Sequence, residues 1–180
     1  MSRPNTAAIN VRDEFSQLKK AIVGLASPFQ RDKAQVANEM HEFPFVPDTD
    51  RKEEVLALTY PTEAILQPEF THYTSTLEKH GVDVLRADPN AAYSFDYTCP
   101  RDIGFVVDDI FFISRMAVSS RAKEYKTILA HLEDIDAGKV VQVPEGALIE
   151  GGDVVVLDAK TILVGINQRT SRKGVEFLRN

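Results

Sequence analysis

The chain has 180 residues, of which 43% are hydrophobic and 27% charged, so it has the composition of a folded globular protein rather than a disordered one. A formal net charge of −6 argues against a general nucleic-acid binder, which needs a basic surface. The single cysteine, Cys99, excludes an intramolecular disulfide, and no apolar run approaches the ~20 residues of a membrane span.

The N-terminal stretch, Met1 to Ala8, has no apolar core of a signal peptide, so the cytoplasm is the expected location. Leu18 to Leu25 reads as a buried first strand, stopped by Ser27-Pro28. Asp32 to His41 reads as a short helix. Glu42 to Pro61 holds three prolines and a charged cluster, Asp48 to Glu54; it reads as a long surface loop with a solvated face. Pro68 suits the first position of a helix that continues through Phe70, Tyr73, Leu77 and His80 and ends at Gly81. Val82 to Leu85 is the next strand, and Asp88-Pro89-Asn90 a turn.

A hairpin follows: Phe105 to Val107, a tight turn at Asp108-Asp109, then Ile110 to Ile113. Ser119 or Ser120 is placed to cap a helix with an apolar stripe of Tyr125, Ile128, Leu129, Leu132 and Ile135. Gly138 closes it, and Val140 to Val143 is a strand. A second hairpin spans Val154 to Leu157, a turn at 158–160, and Ile162 to Gly165. The last helix is capped near Thr170 and has Val175 and Leu178 on its apolar face.

Those two hairpins read as one unit written twice. A carboxylate precedes each and an arginine follows it: Asp102 and Glu150 are 48 residues apart, and so are Arg121 and Arg169. By the same offset a glycine matching Gly138 falls near position 186, so the pattern is expected to stop short of completion. Arg121, near a helix start, opposes the helix dipole and calls for an anion. That anion is either a ligand or a neighbouring acid, Glu124 or Glu145. Asp102 is read either as a ligand contact or as a partner of Arg101. His80 and His131 read as helix-end or surface histidines, and Cys99 as a small buried apolar residue.

Pro100-Arg101-Asp102, Ile149-Glu150-Gly151-Gly152-Asp153 and Arg169-Thr170-Ser171 resemble motifs of the guanidino-group-modifying superfamily: arginine deiminases, dimethylarginine dimethylaminohydrolases and glycine-type amidinotransferases. Glu14 to Lys20 also looks like that superfamily's first strand. The resemblance implies an α/β fold, a five-bladed propeller (pentein) of ββαβ modules. At roughly 45–50 residues a module, five modules exceed this chain. About three are expected, near 10–95, 96–145 and 146–180, forming one truncated domain whose open strand edges could pair into a homo-oligomer.

By resemblance, Asp102 and Glu150 are catalytic-site carboxylates that hold the substrate guanidinium, with Glu150 also orienting a histidine. Asp153 adds a polar substrate contact. Arg121 and Arg169 match the arginines that hold the substrate α-carboxylate. The implied chemistry is attack of a cysteine thiolate on the guanidinium carbon, release of an amine, and resolution of the amidino-thioether by water or an acceptor amine. The implied histidine and cysteine have no counterpart in context here. The chain is thus expected to carry the recognition half of an arginine- or guanidine-modifying enzyme, with a small guanidino substrate, no cofactor and no metal. The alternative is a non-catalytic relative or interaction module that binds arginine-like ligands or is completed by a partner chain.

Overall fold

A computed structural model describes residues 8–26, 63–92 and 98–180. The helix expected at Asp32–His41 and the loop at Glu42–Pro61 lie outside the described residues. Three small sheets organise the rest. In the first, β1 (Lys20–Val23) pairs in parallel with β2 (Asp83–Arg86), Lys20 opposite Asp83 and Val23 opposite Arg86. The strand is shorter than Leu18–Leu25. Asp13 accepts backbone N–H bonds from Phe15 and Ser16 and a bond from the Ser16 hydroxyl, which holds the preceding residues in a turn.

Helix α1 (Glu63–Lys79) leads into β2. It starts five residues before the expected Pro68, which sits inside it. Glu63, Ala64, Leu66 and Gln67 are good helix formers that carry the chain through the missing proline N–H. Its end is as expected. Gly81 takes φ +77°, its N–H bonds to Glu78 O at 2.9 Å, and Val82 N–H reaches back to Leu77 O at 3.1 Å. This is a left-handed glycine cap that satisfies two terminal carbonyls.

The second sheet has the order β3-β4-β5. A short helix, α2 (Pro100–Ile103), runs into β3 (Gly104–Val107). Asp108-Asp109 turns the chain, with Asp108 at φ +51°, into β4 (Ile110–Ile113). Alternation in this hairpin separates two cores. Phe111 and Ile113 face one with Ile103, Met116, Ile128, Leu132 and Ile135. Phe105 and Phe112 face the other with Val143, Ile149 and Val154. Phe105 stacks on Phe112 at 5.2 Å, and Phe177 meets Phe112 edge-on at 6.2 Å.

Where an α-helix was expected after β4, the chain forms 3₁₀ turns at Ser119–Arg121 and Glu124–Leu132. The expected serine cap gives way to Val118 at the N-cap of the first turn. The Thr127 hydroxyl bonds the Glu124 carbonyl at 2.7 Å and Asp88 N–H takes the Thr127 carbonyl at 2.8 Å. Both compete for carbonyls that an α-helix needs. Ile128, Leu132 and Ile135 are buried, as the stripe required; Leu129 is 38% exposed and stands outside it. The chain then returns as β5 (Val140–Gln142), parallel to β4.

The third sheet is the hairpin of β6 (Val154–Asp158) and β7 (Thr161–Val164), preceded by a 3₁₀ turn at Gly151–Asp153. Its strands begin 50 and 51 residues after those of the first hairpin, not 48, so the repeat spacing holds for the acids and arginines rather than for the strands. Helix α3 (Arg172–Arg179) closes the described chain, capped by the Ser171 hydroxyl on Gly174 N–H. No helix among the described residues is long and apolar enough to cross a membrane.

Candidate functional site

The four residues singled out by the repeat, and Asp153 from the motif, converge on one locus. Asp102 sits in α2 and Glu150 just before the Gly151–Asp153 turn, so each carboxylate stands where its hairpin begins. Arg101 ties these two hairpin starts together. Its Nε donates to Gly151 O at 3.2 Å, its Nη2 to Val154 O at 2.6 Å, and its guanidinium forks onto Glu14 at 2.7 and 3.2 Å. Arg101 is therefore not the partner of Asp102. The bond from Arg101 holds the Glu14 carboxyl below its ordinary value. Gly151 is required by contact with backbone, and Gly152 leaves room for the Asp102 side chain as it stands. A Cβ on Gly151 would strike the Arg101 carbonyl, and one on Gly152 the Asp102 carboxylate.

Each acid meets the arginine of its own repeat, 19 residues on. Arg121 Nη1 donates to Asp102 Oδ2 at 2.9 Å. Arg169 Nη1 stands 3.0 Å from Glu150 Oε2. Arg121 is only 3% exposed and also donates from Nε to Glu124 Oε2 at 2.9 Å, so Glu124, not Glu145, answers its need for an anion. Burial works against the Arg121 cation, but the charges and hydrogen bonds of Glu124 and Asp102 outweigh it and raise its pKa. Arg169 is more open, its side chain 38% exposed.

Glu150 is the exceptional member. It is 1% exposed, and neither carboxylate oxygen accepts a hydrogen bond from any described residue; the contact with Arg169 is an ion pair without hydrogen-bond alignment. Burial pushes its pKa up, and the cations of Arg169 and Arg121 oppose this. Asp153 has both oxygens engaged, Oδ1 by Asn167 Nδ2 at 2.8 Å and Oδ2 by the Thr170 hydroxyl at 2.6 Å. Cys99, expected to be buried, is exposed; it precedes α2, whose first residue, Pro100, is half-buried. His80 is exposed at the end of α1, and His131, in the last turn of the 124–132 stretch, is half-buried with Nε2 2.6 Å from the Arg86 carbonyl, so both are helix-end histidines as expected.

Glu14, Asn167 and Thr170 complete this locus without having been singled out as site residues from the sequence. Asn167 and Glu14 lie in polar stretches without periodicity, and only the fold brings them near. For Glu124 a signal existed, its i,i+3 spacing from Arg121.

The N,N dimethylarginine dimethylhydrolase family, eukaryotic, matches residues 47–180 of this chain. An arginine deiminase of Rhodococcus erythropolis is 32% identical over 103 residues, 55% of this chain and 24% of that protein. The inosamine-phosphate amidinotransferase of Streptomyces griseus is similar in structure, with a TM-score of 0.70 and 18% identity over 96% of this chain and 59% of that one. A dimethylarginine dimethylaminohydrolase from Pseudomonas aeruginosa, solved with citrulline, gives 0.61 and 17% over 91% of this chain and 56% of that one. The chain spans about a quarter of the curated relative and just over half of these two structures. Their shared fold is mixed α/β. Within the guanidino-group-modifying superfamily, the chain belongs to the N,N dimethylarginine dimethylhydrolase family.

Proposed function

We propose that this chain carries the substrate-recognition half of a guanidino-modifying site, in which Asp102 and Glu150 hold a substrate guanidinium and Arg121 and Arg169 lie toward its carboxylate end. The reaction assigned is C–N cleavage through a cysteine-bound amidino intermediate, of deiminase, amidinohydrolase or amidinotransferase type. Its thiolate and its acid–base histidine come from outside these 180 residues, and Cys99 is not the nucleophile. The architecture in this reading is about three ββαβ modules of a five-bladed propeller.

The observation that carries the reading is the Glu150 carboxylate. Glu150 is buried and ion-paired with Arg169, yet accepts no hydrogen bond from the described residues, and an unmade hydrogen bond at a buried acceptor costs about 1–3 kcal/mol in general. A planar guanidinium presents N–H donors in a fork that matches carboxylate oxygens and would supply what is missing. Asp102 lies in the same electrostatic neighbourhood, since both it and Arg121 act on the Glu150 charge.

The test is calorimetric titration of the 180-residue chain with L-arginine and with N,N-dimethylarginine. Binding of either is expected, and Asp102→Asn should weaken it about ten- to a hundredfold, the equivalent of ~1.5–3 kcal/mol for a hydrogen bond to a charged group. Absence of binding by the wild-type chain, or full binding by the Asp102→Asn variant, would overturn the assignment.

A further inference from the structure

Thr170 is completely buried, at 0% exposure, in a turn whose other residues are mostly exposed. Its hydroxyl is a node between two distant segments. The backbone N–H of Glu150 donates to Thr170 Oγ1 at 3.1 Å, and Thr170 Oγ1 donates to Asp153 Oδ2 at 2.6 Å. The direction is fixed by chemistry: an amide N–H only donates and an ionised carboxylate only accepts, so the hydroxyl accepts from one and donates to the other. Asp153 Oδ1 accepts from Asn167 Nδ2 at 2.8 Å. Asn167 Oδ1 in turn accepts from the backbone N–H of Arg169 at 2.7 Å and of Thr170 at 3.0 Å. The Arg169 guanidinium then returns to Glu150 at 3.0 Å.

Four hydrogen-bonded links and one ion pair form a closed circuit, Glu150 to Thr170 to Asp153 to Asn167 to Arg169 and back to Glu150. A turn stabilised for its own sake needs only the Asn167 contacts to the following N–H groups. The links from Thr170 and Asn167 back across 20, 17 and 14 residues do something else: they fix the backbone of Glu150 against the backbone of Arg169.

We propose that Thr170, Asp153 and Asn167 are positioning residues that set the separation and alignment of the Glu150 carboxylate and the Arg169 guanidinium, and that Asp153 acts through this circuit rather than by touching substrate. The inference rests on the proposed roles of Glu150 and Arg169. It assigns Asp153 a different part from the one its motif implies, since both of its oxygens are already engaged.

Two readouts test it. The first is the Glu150 carboxyl titration, followed by carbon-13 NMR and assigned with Glu150→Gln. The charged groups acting on that carboxyl are Arg169, Arg121, Asp102 and Asp153. Thr170→Val keeps the side-chain volume and removes both hydroxyl bonds. With Glu150 and Asp153 no longer tied to the turn that carries Arg169, the Glu150 titration is expected to move up by about half a unit or more. Thr170→Ser, which keeps the hydroxyl, should restore it. Asn167→Ala, at an exposed position, should shift it the same way and decides the matter if Thr170→Val does not fold. The second readout is L-arginine affinity, expected to fall about tenfold in Thr170→Val and to recover in Thr170→Ser. A Glu150 titration unmoved in Asn167→Ala and in folded Thr170→Val overturns the circuit. If the wild-type chain binds no L-arginine, the proposed function fails, and the carboxyl titration still decides the circuit.

Discussion

Replacing Arg121 by methionine tests how strongly the first repeat depends on its own acid–arginine pair. The arginine is 3% exposed and bridges Glu124, 2% exposed, and Asp102, whose side chain is 15% exposed. Methionine fills much of the space but leaves both carboxylates without their cation. Removing one member of a buried pair costs about 3–5 kcal/mol, because the survivor stays buried after losing that attraction. Most of that belongs to Glu124, since Asp102 reaches some solvent and is partly screened. About 4 kcal/mol is a large share of the ~5–15 kcal/mol that a domain of this kind has. With a urea slope of roughly 2 kcal/mol/M, the midpoint should drop by about 2 M. The assay is urea denaturation followed by circular dichroism. A second variant, Arg121→Met with Glu124→Leu, tests how much of the cost lies in the buried Glu124 charge. It should recover about 1–2 kcal/mol relative to the single change, since an apolar replacement of a buried pair is often neutral. A single-variant cost below about 1 kcal/mol, or a double variant no more stable than the single, would show that the buried triad is not held as described.

Two further outcomes follow from the same geometry. The Glu14 carboxyl titrates below its ordinary 4.5 because of Arg101, so its stabilising contribution is present above that value and is lost as pH falls through the lower folded-state pKa. Glu14→Gln should therefore cost roughly 1 kcal/mol near neutrality, and the gap in urea midpoints should narrow as pH falls below 4.5; a gap of constant size would contradict the pairing. Gly174→Ala, ordinarily favourable inside a helix, should instead destabilise by about 1–3 kcal/mol in thermal unfolding, because the added methyl meets the Leu148 carbonyl and the buried Ile149 side chain. A stabilised Gly174→Ala would mean that α3 does not pack on that segment as closely as observed.

Much of the fold could be read from local patterns. The hairpin at 105–113 rests on two short apolar runs joined by a two-residue turn, and the end of α1 on one glycine, so both were legible. Pro68 misled because a proline signals a helix start only when nothing before it is helical, and here Glu63 to Gln67 are. The 3₁₀ winding of 124–132 was not legible at all. It depends on Asp88, far away in sequence, taking a carbonyl from Thr127.

The 48-residue spacing of Asp102, Glu150, Arg121 and Arg169 is a property of the sequence, and with the motif residues it was enough to point to the guanidino-modifying superfamily. What those residues do to each other was decided by tertiary structure. Charge type can be read from letters, but whether an arginine faces a ligand or its own acid depends on distances that no spacing encodes. The fold brings Arg121 within hydrogen-bond reach of Asp102 and Glu124, ties both Asp153 oxygens into a turn, and buries Glu150 without a donor among the described residues. Burial makes these differences matter, because inside the protein an unpaired carboxylate cannot turn to water.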